Sequence, residues 1–177
     1  MTTPPRAEVE AAFANYWTIG AIDERWPEWS SVFTEDVHYV EHIYGEMRGR
    51  DVVHRWITKL MRDNTDVHAV IDWYMVDGAR VVVNMQNRYY HPDPTQPPLD
   101  FPGITILRYA GQGLFDYEED YWCLRSAKKC YAAFQEALKA RGDRGLGDGR
   151  LEALEAERRR HSLAVLARTR LGRIRSP

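Results

Sequence analysis

The 177-residue chain has only two cysteines, Cys123 and Cys130, seven positions apart and without a second pair. That excludes a disulfide framework and a four-cysteine zinc site, and both read as reduced thiols. Nowhere does an apolar run approach the roughly 18 residues that a membrane span requires. The opening "MTTPPRAEVE" lacks the basic-then-apolar order of a secretory signal. These absences describe a soluble, cytoplasmic protein with no membrane partner. The 44% apolar and 12% aromatic content is enough to fill one core in a chain of this length.

Charge is scarce in net terms, −2, but unevenly placed. Residues 141–177 hold ten arginines against five acids, whereas residues 1–140 hold 14 basic against 21 acidic side chains. The chain therefore divides into a domain over 1–140 and a glycine-broken, arginine-rich tail over 141–177, the latter helical from about 151 to 170. Acids interspersed among the arginines describe a solvated helical face rather than a nucleic-acid surface.

Within the domain, "EVEAAFANYWTIG" puts Val9, Ala12, Phe13, Tyr16 and Ile19 on one helical face. "ERWPEWSSVFTED" predicts a short second helix with Trp26, Trp29, Val32 and Phe33 on one side. "VHYVEHI" reads as a strand of about six residues, followed by a glycine turn in "YGEMRG". Asp51 then caps a helix burying Val53, Trp56, Ile57, Leu60 and Met61. From residue 67 the period becomes extended, and four strand-length runs separated by "DG", "PDPTQPP" and "GQG" predict an antiparallel meander. Ser126 caps a fourth helix with Ala127, Cys130, Tyr131, Phe134, Ala137 and Leu138 as its stripe. The order specifies an α+β fold, a cone-shaped curved antiparallel sheet with helices on its concave side and a cavity between.

The chemistry-bearing stretch is "DVHYVEHIYGEMRGRD", with His38 and His42 four apart. On a strand that spacing separates them by about 13 Å, too far to share one metal ion, so no metal site is drawn. Acid–base work needs one group of suitable pKa in a partly dry pocket and a second to orient it. Histidine qualifies for the first. Tyr16, Asp100 and Asp120 are available for the second, and Asn84, Gln86 and Arg88 share one strand face that either meets water or lines a polar cavity. Glu41, on the face opposite His42, reads as structural. The six tryptophans are core, some of them, Trp56 included, available to wall an apolar ligand pocket.

"WSSVFTEDVHYVEHIYGEMRGRDVVHRWITKLM" followed by "GITILRYAGQGLFDYEEDYW" resembles the nuclear-transport-factor-two-like superfamily, in its SnoaL-like polyketide cyclase and ketosteroid-isomerase-like branches, over roughly residues 8–122. The resemblance implies the cone fold and a cofactor-free cyclase, isomerase or dehydratase acting on an apolar carbonyl compound. It places His42 where isomerase-like members keep a catalytic carboxylate, Tyr16 near their oxyanion-stabilising tyrosine, and Asp100 as the nearest substitute for their second oxyanion acid. Asp120 resembles the acid–base aspartate of the cyclases. The resulting expectation assigns catalysis to His42, Asp120 and Tyr16, substrate binding to Asn84, Arg88, His38, Asp100 and Trp56, and partnership to a small apolar or polycyclic molecule and a second copy docked on the open sheet face. "DERWPEWSSVFTEDVHY" also looks like the structural β subunit of aromatic-ring dioxygenases, which implies a noncatalytic assembly role beside an iron-bearing partner.

Overall fold

The computed structural model describes residues 3–142 and 148–171. The first helix, α1 (Arg6–Trp17), buries Val9, Ala12, Phe13, Tyr16 and Trp17, and its last turn loosens into a π turn over Thr18–Ile22. Gly20 sits in that turn because a Cβ there would lie 2.6 Å from Cδ1 of Trp29. The segment expected to be one second helix is a single turn, α2 (Trp26–Trp29), followed by a 3₁₀ turn over Ser30–Val32. Phe33, expected on that helix, instead opens β1 (Phe33–Glu41).

The glycine turn expected after β1 contains a short strand of its own, β2 (Gly45–Arg48). Gly49, with φ of 90°, leads into α3 (Arg50–Arg62), so Asp51 lies in the first turn rather than at the cap. α3 turns Val53 and Ile57 fully inward, while Trp56, Leu60 and Met61 pack partly buried against the core. The meander follows as β3 (Val67–Asp77), β4 (Arg80–Tyr89), β5 (Leu99–Gly111) and β6 (Leu114–Trp122), each antiparallel to the next.

Strand order across the curved, unclosed sheet is β2-β1-β6-β5-β4-β3. β1 runs parallel to β6, with Tyr39 opposite Glu118 and Glu41 opposite Asp120, so the sheet is mixed rather than wholly antiparallel. A parallel pair needs a long crossover between its strands, and here everything from β2 to β5 supplies it. α4 (Leu124–Ala140) starts at Cys123 rather than Ser126 and sets Phe134 against Tyr89 and Phe101 in a second apolar cluster.

The arginine-rich tail forms α5 (Asp148–Leu171), while residues 143–147 of the expected glycine-broken link lie outside the described residues. α5 is docked on one side rather than solvated all round. Val165 and Leu166 join the main core, His161 Nε2 lies 2.7 Å from the Ile71 carbonyl, and buried Arg158 pairs with Glu24 at 2.9 Å while donating to the Ala21 carbonyl. No described helix is long and apolar enough to cross a membrane.

Candidate active site in the cone

Between the concave face of the sheet and α1, α3 and α4 lies a cavity of about 420 Å³. Aromatic rings make most of its wall. Tyr16 and Trp29 have centroids 5.3 Å apart, Tyr39 and Trp56 5.1 Å apart, and Trp122 and Tyr44 extend the lining toward the mouth. Such a lining favours a flat apolar ligand.

The two-residue strand period decides which polar groups reach this space. β6 sends Glu118 and Asp120 inward and Tyr117, Glu119 and Tyr121 outward. β1 sends Tyr39 and Glu41 inward beside them. Asp120 accepts hydrogen bonds from the Tyr39 hydroxyl and from Thr105 Oγ1, the latter at 2.5 Å. Burial pushes its carboxyl up to about 6 against those two donors, with the nearby Glu41 adding to the rise. Glu118, 1% exposed, accepts a 2.7 Å hydrogen bond from Tyr16 at Oε1, while its Oε2 has no partner. Burial, reinforced by Asp120, holds the Glu118 carboxyl well above the usual range. Burial likewise raises the Tyr16 and Tyr39 phenols, which therefore keep their protons and act as donors.

Glu41 is differently employed. Trp122 Nε1 donates to its Oε1, and the backbone amides of Ile43 and Tyr44 donate to Oε2 at 2.9 and 2.6 Å. This carboxylate pins the β1–β2 turn. Asn87, on the inner face of β4, also lines the cavity.

Of the residues expected in the site, the structure brings together Tyr16, Asp120 and Trp56. The others are on the outer face, and the reason is one of parity. His42 is one residue past Glu41, so it leaves the sheet on the opposite side, where its Nε2 lies 2.9 Å from Glu119 and its ring stacks on Tyr121 at 4.4 Å. His38 pairs there with Glu46 at 2.9 Å. Asn84 is two positions along the same outer row from Gln86, which donates to Asp72. Arg88 and Asp100 face each other across β4 and β5 in a two-pronged ion pair at 2.8 and 2.7 Å. The 84, 86 and 88 face does not line the cavity; its side chains are partly buried on the outer side of the sheet. Glu118, absent from the sequence reading, was legible there as the residue of the same parity as Asp120.

A family model described as "SnoaL-like domain" matches residues 9–116. Among curated proteins, none matches by sequence. Solved structures share the fold. An M. tuberculosis LEH-like epoxide hydrolase superposes with a TM-score of 0.57 at 18% identity, covering 77% of this chain and 98% of the other. A protein from Jannaschia sp. CCS1, described as a SnoaL-like polyketide cyclase, gives 0.53 at 17% identity, with coverages of 73% and 98%. A hypothetical protein with a ketosteroid isomerase-like fold from Catenulispora acidiphila, in complex with trimethylamine, gives 0.51 at 24% identity, with coverages of 71% and 90%. The match over more than half of its length, from α1 to the start of β6, makes this chain a member of the SnoaL-like domain family.

Proposed function

We propose that the chain is an acid–base enzyme that needs no cofactor and moves a proton on a largely apolar, carbonyl-bearing molecule held in the cone, in a reaction of the cyclase, isomerase or dehydratase type. The observation that carries this reading is the pair of carboxyls that β6 places side by side on the cavity floor in unlike environments. Two titratable groups pushed apart in pKa divide the roles of base and acid between them. Asp120, held by two hydroxyl donors and with its carboxyl at about 6, is ionised at neutral pH and takes the proton. Glu118 stays protonated. Because Tyr16 donates to Oε1, the Glu118 proton sits on Oε2, which is buried and unpartnered, so donation to the substrate carbonyl as negative charge develops on its oxygen requires this carboxyl to turn into the cavity. Tyr16 acts through Glu118 as a positioning residue. The aromatic wall excludes water and sets the plane of the substrate.

The outer face supports a homodimer. Trp73, Met75, Ile104 and Tyr121 are exposed there, an unusual density of large apolar groups for a solvated sheet face.

The test is α-hydrogen exchange in deuterated buffer with polycyclic ketones and β-polyketone mimics, read by mass spectrometry in wild type, Asp120→Asn and Glu118→Gln. Exchange that falls at least about a hundredfold in Asp120→Asn supports the assignment. Ligands that bind but return unlabelled from wild type would make the cone a binding module instead.

A further inference from the structure

The family match ends at residue 116, so α5 lies wholly outside it. Among the described residues, those that α5 buries are Arg158, Ser162, Val165 and Leu166, spaced as one helical face. A helix that only completed a core would carry apolar groups at all four positions. Here the first two are polar and incompletely answered. Arg158 Nη1 reaches the Ala21 carbonyl and Glu24, but Arg158 Nε and the Ser162 hydroxyl are buried with no hydrogen-bond partner among the described residues. Buried polar atoms left unanswered cost free energy, so this face holds α5 less firmly than an apolar one would.

The receiving side is the end of the π turn and the two residues after it: Ala21, Asp23, which pairs with Arg159, and Glu24. Glu24 has a φ of 52°, in the left-handed region that a glutamate rarely adopts. Two partners hold its carboxylate, Arg158 at 2.9 Å and Nδ1 of His68 on β3 at 2.8 Å. The same short stretch builds the back wall of the cone, since Trp17, Ala21, Trp26 and Trp29 all line the cavity. Ala21 thus belongs to both surfaces: it borders the cavity while its carbonyl is held by Arg158.

Resting on the reading of the cone as a ligand site, we propose that α5 is a releasable strap latched by Arg158, and that docking of this helix and filling of the cavity favour each other through the turn at Thr18–Ile22. With α5 docked, the Ala21 carbonyl and the Glu24 carboxylate are fixed, and Trp17, Trp26 and Trp29 stand as one wall. With α5 released, the strained Glu24 loses a partner and the wall gives. Coupling between two such events is reciprocal, so a ligand that needs the wall also holds the strap.

The test is amide hydrogen exchange of the full chain, read by mass spectrometry with and without saturating 2-acetylanthracene, together with the probe's dissociation constant from tryptophan quenching. In wild type the probe slows exchange in α5 about tenfold. Arg158→Met keeps the side-chain stem and removes the guanidinium; it speeds α5 exchange in the free protein and weakens probe binding by about the same factor. Ser162→Ala deletes an unanswered hydroxyl and slows α5 exchange without weakening the probe. The wild-type comparison stands without any variant, so it decides the matter if Arg158→Met folds poorly. An α5 whose exchange ignores the probe, or occurs only together with that of the sheet strands, overturns the proposal. So does a wild type that fails to bind the probe, an Arg158→Met that binds it as wild type does, or a Ser162→Ala helix that exchanges faster. Exchange of the probe's acetyl methyl hydrogens, measured in parallel, separates the two assignments. Coupling without it keeps the strap and sinks proton transfer, whereas methyl exchange without coupling does the reverse.

Discussion

The Tyr16 hydroxyl donates to Glu118 Oε1 at 2.7 Å, joining the first helix to the last strand across 102 positions of sequence. One bond thus fixes both the helix on the sheet and the orientation of a buried acid. Tyr16→Phe is expected to lower stability by about 1–2 kcal/mol in denaturant titration, because Oε1 loses its donor without gaining water. Exchange activity falls as well, and the Glu118 carboxyl rises further once the bond that opposes its elevation is gone.

Asp120 couples rate and stability to pH in opposite senses. As the proposed base it works only when ionised, so kcat/KM is expected to climb tenfold per unit up to about pH 6 and then level off. With Glu118 as the proposed donor, a descending limb is expected at higher pH as its carboxyl loses the proton. For stability, the folded carboxyl at about 6 exceeds its ordinary 3.8, so the native state holds the proton longer than the unfolded chain. The resulting stabilisation is complete below about pH 4 and is lost as pH rises through 6, an effect on the order of 3 kcal/mol. Asp120→Asn should therefore be nearly inactive yet more stable than wild type above pH 6, as melting curves at pH 5 and pH 8 will record.

His42→Ala is expected to leave exchange activity within about twofold, since its imidazole is outside the cavity. Its pairing with Glu119 involves a side chain 45% exposed, and such surface pairs contribute at most about 1 kcal/mol. A change in sedimentation behaviour without a change in turnover fits its place on the proposed dimer face. A hundredfold loss of turnover would return His42 to the mechanism.

Gly20→Ala is expected to cost about 1–3 kcal/mol, through the collision of its Cβ with the Trp29 indole. Because Trp29 walls the cavity, ligand affinity should fall with stability, and equilibrium unfolding together with probe binding will show whether the two move in step.

The fold was legible because its signals are local and redundant. The apolar spacing of α1 and α3, the change of period at residue 67 and the turn sequences of the meander each point the same way. β2 escaped notice because four residues around a glycine carry little pattern, and the parallel β1–β6 pairing because strand direction is decided by the path of the whole chain. As a cavity residue Asp120 was legible, whereas His42, expected beside it, lies on the outer face. In β1 the strictly buried Val37 and Tyr39 share their face with Glu41, and that alternation already puts His38, Val40 and His42 on the other side. A resemblance in position outweighed a count of two. Asn87 had no such signal, since its neighbours Asn84, Gln86 and Arg88 drew attention to the wrong row.

Alternation in β6 also constrains how this chain can diverge. "YEEDYW" spells two surfaces in interleaved letters, Tyr117, Glu119 and Tyr121 for one and Glu118, Asp120 and Trp122 for the other. Deleting a single residue just before it would exchange the two sets, burying the tyrosines and exposing the acid pair, while every residue type in the strand stayed the same. Point substitutions can retune this cavity by degrees, but a length change upstream in the β5–β6 hairpin would reverse it at one stroke. Natural variation in loop length is therefore expected at the long β4–β5 connection, where no reacting group depends on register.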